Sequence, residues 1–266
     1  MFLSINSQRL QTLIEEPFIL PSPRELRRWG AVFFIGGDLP VFETLETMYE
    51  SHCQEATGLF HVTFSGRSEL RANLELVRQI KKNFSVRLMG RINAALPEAH
   101  FEQLYLAGLD ILDIPLRAFG DAERSASHDQ LPYFARAAAV FPHWSLISSL
   151  TTNEMTAPEL RSTIDAVLNN GIVPLLTMAP GTNGRGRDEI TALFAYLSDA
   201  WHRHEVALKP LLPLIHVSTP LESSESSGLL RNAIGRFHDR RTLVTGNLLR
   251  HLRTSGAEAS FESAGL

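Results

Sequence analysis

The chain has 266 residues, 44% of them apolar and 20% charged, with a net charge of −4 and one cysteine. That length suits a single α/β barrel of about 250 residues, and the composition supports a large core and excludes wholesale disorder. The lone thiol, Cys53, excludes an intrachain disulfide framework, a cysteine-built zinc site and a self-sufficient iron–sulfur cluster, and the charge carries no footprint for nucleic acid.

Residues 1–30 read as an N-terminal helix and a strap, marked by Pro17, Pro21 and Pro23, that closes the base of a barrel. From residue 31, short β-rich runs alternate with longer helical patterns. The first run, 31–35, stops at Gly36 and Gly37, and a helix follows over 41–53. The second, 59–64, ends at Ser65 and Gly66. Leu70, Leu74, Val77, Ile80 and Phe84 then recur at helical spacing. The third run, 85–89, precedes a helix that starts near Pro97, buries Phe101, Leu104 and Ala107, and stops at Gly108. The fourth, 110–114, leads through a polar loop to a helix over 131–141.

The fifth run covers 144–150. After it, Thr156 and Glu159 form a capping box with proline in the first turn. Leu160, Ile164, Val167 and Leu168 make that helix's inner stripe, and Asn169, Asn170 and Gly171 end it. The sixth run, 172–178, opens through a glycine-rich loop, 180–187, into a helix from Asp188 to about Trp201. A seventh run spans 206–217, interrupted by Pro210 and Pro213, and a last helix spans 226–241. Seven β–α alternations predict a parallel sheet with crossover helices. A TIM-type (β/α) barrel, complete or partial, over 31–253 is preferred to an open doubly wound sheet, because no first-strand G-x-G-x-x-G appears. Residues 254–266 read as a flexible tail. No stretch approaches the roughly 20 apolar residues of a membrane span, and the first 16 residues lack a signal-type apolar segment, so a cytoplasmic protein is expected.

Barrel chemistry sits where strands end at their C-terminal side. The candidates there are Gly36, Gly37 and Asp38; Ser65, Gly66, Arg67 and Glu69; Arg91 and Asn93; Arg117 and Asp121; Thr151 and Asn153; the loop from Gly181; and His216, Ser218 and Thr219. Gly181, Arg185 and Arg187 are the most suggestive group. Glycines free backbone N–H groups at a helix N-terminus, and arginines add charge-assisted contacts to a small anion. The loop lacks the Lys and Ser/Thr of a P-loop, and the alternative is a plain βα turn. Asp38 reads equally as a general base, a ribose ligand or a helix cap. His61 and His216 lie on strand runs that can face the barrel interior. Neither they nor His202 and His204 have a carboxylate cluster beside them, so no metal site is expected.

Several strings, in this order, resemble the radical S-adenosylmethionine superfamily, specifically its biotin-synthase-like branch. Residues 62–69 look like the family's segment that contacts the methionyl amine of the cofactor. Residues 104–116 look like its "L-x-x-A-G-x-D" passage, and Gly171 to Gly181 resembles the strand whose loop reads "G-x-G-E". Residues 217–222 look like "G-T-P-L-E", and 230–236 resemble the helix that follows it. The resemblance covers roughly 30–245 and implies a barrel, with S-adenosylmethionine as a possible ligand.

The chain departs from the family at one place. The CxxxCxxC motif belongs just after the first strand, where residues 36–40 carry no thiol. The resemblance therefore implies a degenerate member without a four-iron cluster. Three readings stay open: an accessory subunit beside a cluster-bearing homologue or a second copy of itself, a barrel that binds a small anionic ligand, and a lyase or epimerase acting on a phosphorylated or carboxylated substrate.

Overall fold

Apolar runs in the middle of the chain fold as parallel strands, and the amphipathic stripes between them fold as the helices that connect them. The computed structural model describes residues 3–65, 70–93, 96–116, 131–153, 155–178 and 185–223. In chain order the elements are β1 (Leu3–Ile5), α1 (Ser7–Glu15), β2 (Leu26–Trp29), β3 (Val32–Gly36), α2 (Val41–Gln54), β4 (Leu59–Phe64), α3 (Leu70–Asn83) and β5 (Arg87–Ile92). Then come α4 (Glu98–Ala107), β6 (Ile111–Asp113), α5 (Leu131–Val140), β7 (Leu146–Thr151), α6 (Ala157–Asn169), β8 (Val173–Thr177) and α7 (Arg187–Arg203). A 3₁₀ turn (Lys209–Leu211), α8 (Leu212–Ser218) and β9 (Leu221–Ser223) follow.

Seven strands form one sheet in the order β2-β3-β4-β5-β6-β7-β8. Strands β3 to β8 are parallel, and β2 pairs antiparallel with β3 through a turn at Gly30, which takes the left-handed φ of +54°. Residues from β4 through β8 line a single cavity, so the sheet is curled into a half-barrel. Helices α2, α3, α4 and α5 pack in sequence against one another, as do α6 and α7. The capping box at Thr156 forms as expected, and Gly171 takes a φ of +72° just beyond α6.

Because side chains alternate along a strand, the register sorts the inner face into layers. Val32 and Phe34, Leu59, Met89, Ile111, Ile147 and Val173 make the lower, apolar layers. Nearer the C-terminal ends the same face carries Thr63, Arg91, Asp113, Ser149, Thr151 and Thr177. The sheet is thus a sealed core below and a polar surface above.

Three expectations change. The run 206–217 is a 3₁₀ turn and a helix, not a strand. Pro210 and Pro213 each sit in the first turn of a helical segment, where a missing N–H is harmless. Leu211, Leu214, Ile215 and Ser218 are buried at helical spacing. Second, the base is covered by α8: a side chain at Gly58 or Gly30, just before β4 and β3, would touch Pro213 or Val217. The strap instead runs over the inner face of β3, where Phe18 meets Phe34 and Trp29 at ring-centroid distances of 5.6 and 4.9 Å. Third, β1 and β9 pair antiparallel as a separate two-stranded sheet. The expected helix over 226–241 and the tail from 254 lie outside the described residues.

Candidate functional site

A cavity of about 190 Å³ opens on the inner face toward the C-terminal ends of the strands. Its polar lining is His61, Arg91, Asp113, Ser149, Thr151, Thr177 and Ser218, with Phe18, Ile19 and Leu20 of the strap on one flank and Leu214 of α8 from below.

At its centre is a charged pair. Arg91 Nη1 donates to Asp113 Oδ2 at 3.0 Å, and Arg91 Nε donates to Asn93 Oδ1 at 3.3 Å. Asp113 is 1% exposed. The backbone N–H of Ser149 reaches its Oδ1 at 3.2 Å. The Ser149 hydroxyl lies 2.7 Å from Oδ1 and 2.6 Å from Oδ2. Burial raises the pKa of the Asp113 carboxyl, against the opposing pull of Arg91 and the Ser149 bonds. Both carboxylate oxygens are therefore occupied by protein donors, and the guanidinium is held in one orientation while its Nη2 takes part in neither bond.

His61 stands on β4, one strand away from Arg91 and one inward-facing position lower. It is 1% exposed and tilted against Phe34, with ring centroids 5.2 Å apart. Burial, reinforced by Arg91, pushes its pKa down to about 3, so the ring is neutral at physiological pH. Its Nδ1 is buried without a hydrogen-bond partner, as is Thr151 Oγ1. A buried polar atom left unpaired costs about 1–3 kcal/mol, so both are local debits in the packing of the inner face.

The other sequence candidates are placed as follows. Gly36 faces the strap: a Cβ there would lie 2.2 Å from the Pro23 carbonyl oxygen. The Gly36 N–H bonds Glu25 O, and the Asp38 N–H bonds Pro23 O. Gly37 is tucked against the Thr63 carbonyl. Asp38 accepts from Ser65 Oγ at 2.6 Å and lies 3.8 Å from Arg24. Gly36 and Asp38, the latter bonded by Ser65, thus fasten the strap to the sheet, and none of these residues or Gly37 lines the cavity. Arg185 is engaged by the Met155 carbonyl and by Glu189. Arg187 donates to Ser7 O at 3.3 Å. These two arginines tie α7 to neighbouring segments rather than to the cavity. His216 lies on α8 rather than on a strand; burial first, then Arg9, lowers its pKa, and it does not line the cavity. Gly66, Arg67, Glu69, Arg117, Asp121 and Gly181 lie outside the described residues.

Arg91 and Asn93, candidates at the same strand end, are hydrogen-bonded to each other. The sequence does not single out Asp113, Ser149 or Thr177, and it places His61 on an interior-facing strand run without giving it a role. The available signal was chemical: a carboxylate, a hydroxyl and an imidazole inside otherwise apolar strands, each on the inward-facing alternation.

A four-iron cluster does not fit the loop after β3. No thiol is present there, the strap backbone fills the space beside Gly36, and Cys53 is exposed in the last turn of α2. Among the described residues no group of three or more His, Cys, Asp or Glu side chains is placed to hold a metal ion, and no helix is long and apolar enough to cross a membrane. No protein-family model and no curated protein gives a significant match to the chain.

Proposed function

We propose that the chain is a cluster-free, radical-S-adenosylmethionine-like half-barrel whose role is to bind a small carboxylate in the cavity above the strands. The observation that carries this reading is Arg91, fixed by Asp113 and Asn93 and bordering a cavity whose lining, that pair apart, is neutral. Arg91 and Asp113 are the charged residues of the lining and pair with each other, so a ligand carboxylate would take its charge-assisted bond from the Arg91 Nη2 that the pair does not use. The volume corresponds to about six waters, a scale that suits a few-carbon acid. Of the readings open from the sequence, the small-ligand one is taken up because the described residues build a cavity for it.

Ligand-observed NMR and calorimetric titration with acetate, propionate, lactate and inorganic phosphate test the reading. A carboxylate should bind more tightly than phosphate, and Arg91→Met should weaken it by at least ~10-fold. Absence of carboxylate binding, or binding indifferent to Arg91→Met, overturns it.

A further inference from the structure

We infer that the rest of the ligand is aliphatic: the site takes a short alkyl carboxylate whose chain lies against the strap, with Ile19 as the residue that discriminates chain length. This rests on reading the cavity as a carboxylate site.

Apart from Arg91, the polar side chains of the wall make their hydrogen bonds inside the protein. The Ser149 hydroxyl donates to Asp113, Thr177 Oγ1 donates to the Leu150 carbonyl at 3.3 Å, and Ser218 Oγ donates to the Leu214 carbonyl at 2.8 Å. His61 Nδ1 and Thr151 Oγ1 are buried in the wall itself. A polar substituent on the ligand would therefore lose its water and find few partners. An ammonium group would also need an anion, and both oxygens of Asp113 are already bonded.

The remaining wall is hydrocarbon. Leu175, Met178 and Leu214 supply it from the sheet side and α8, and Phe18, Ile19 and Leu20 supply it from the strap. Phe18 is packed on Phe34 and Trp29, and the Pro23 carbonyl accepts from the Asp38 N–H, so the span between them is held at both ends. Ile19 lies in that span and borders the cavity, yet it is 62% exposed. Among the described residues the other large apolar side chains so exposed, Phe42 and Tyr49, are on α2 and do not line the cavity. A molecule that fills a space of about six waters touches all of its walls, so an acid held at Arg91 brings its chain to the strap. Each methylene group covered there should tighten binding by up to about fourfold.

Titration of the full chain with acetate, propionate, butyrate and lactate is the test. Wild type should bind butyrate at least ~5-fold more tightly than acetate, and propionate at least ~3-fold more tightly than lactate, from which it differs by a hydroxyl alone. Ile19→Ser changes an exposed position and leaves the core intact. It should cut the gain from acetate to butyrate at least about twofold while keeping acetate affinity within about twofold of wild type. Equal affinity for acetate and butyrate, lactate binding more tightly than propionate, or an undiminished gain in Ile19→Ser overturns the aliphatic assignment and leaves the carboxylate site standing. If none of the four acids binds wild type, the carboxylate reading itself falls, and the aliphatic assignment with it.

Discussion

The hydroxyl of Ser149 lies within hydrogen-bond distance of both carboxylate oxygens of Asp113, at 2.7 and 2.6 Å, and the Ser149 backbone N–H bonds the same group. A single hydroxyl proton is shared between two oxygens, so the serine positions the carboxylate rather than saturating it. Ser149→Ala should cost about 1–2 kcal/mol in denaturant unfolding. It should also loosen Arg91 and weaken carboxylate binding a few-fold. Asp113→Ala goes further. It leaves a half-buried guanidinium unpaired and should cost about 3 kcal/mol, the low end for breaking a buried pair because Arg91 keeps some contact with water. Calorimetric titration of the two variants beside their unfolding curves separates the binding effect from the stability effect.

His61 makes stability depend on pH. Its pKa in the folded chain lies near 3, below the 6.5 of an exposed imidazole. Between those values the unfolded chain binds the proton and the folded chain does not. This contribution is fully present above pH 6.5 and is lost as pH falls toward 3, by up to about 1.4 kcal/mol per pH unit. Urea unfolding of wild type and His61→Phe at pH 7 and pH 4.5 should show wild type losing the more stability. At pH 7 the variant should be at least as stable as wild type, since it removes an unpaired buried nitrogen.

Among the described residues Lys81 and Asp110 form the best-enclosed ion pair outside the cavity, 2.9 Å apart with both side chains 11% exposed. Lys81 Nζ also donates to Val86 O, and Asp110 Oδ2 accepts from the Leu88 N–H. The pair thereby fastens the end of α3 to the starts of β5 and β6. Lys81→Met or Asp110→Ala alone should cost about 3 kcal/mol, and the double variant less than the sum. A double-mutant cycle by chemical denaturation measures the coupling; strict additivity would show the pair to be energetically idle.

Gly36→Ala should dislodge the strap. A Cβ at this position would lie 2.2 Å from the Pro23 carbonyl oxygen and 2.8 Å from the Arg24 nitrogen, both backbone atoms. The collision should cost about 1–3 kcal/mol and expose the cavity flank formed by Phe18, Ile19 and Leu20. Limited proteolysis should then cut the strap before the sheet; an unchanged digestion pattern would mean that it stays seated.

The parallel strands and their helices were legible because each carries a local signature: the stripe through Leu74, Val77 and Ile80, the box at Thr156, the stop at Gly171. Arg91 and Asn93 were legible as charged and polar residues at a strand end. Asp113 was not, since its partners Arg91 and Ser149 lie 22 and 36 residues away and only the sheet register joins them. Arg185 likewise meets the Met155 carbonyl, 30 residues distant, a contact with no local trace. The apolar spacing of Leu211, Leu214 and Ile215 is helical, but in sequence Pro210 and Pro213 read equally as breaks in a strand and as helix starts. Pairing across long sequence separations has no local trace, and that is where the cavity lies.

The small sheet that joins β1 to β9 acts as a clasp on this cavity. Among the described residues each strand has only the other as ladder partner, and Arg9 reinforces them by reaching the Thr219 carbonyl across 210 residues of chain. On its other side β1 is held by α7, where Ser198 Oγ donates to the Leu3 carbonyl at 2.7 Å. Because α8 packs on β9 and covers the barrel base, a pull or a cut at residues 3–5 is transmitted to the floor of the binding site from the opposite end of the chain. The first strand and the cavity floor are thus joined through one two-stranded contact.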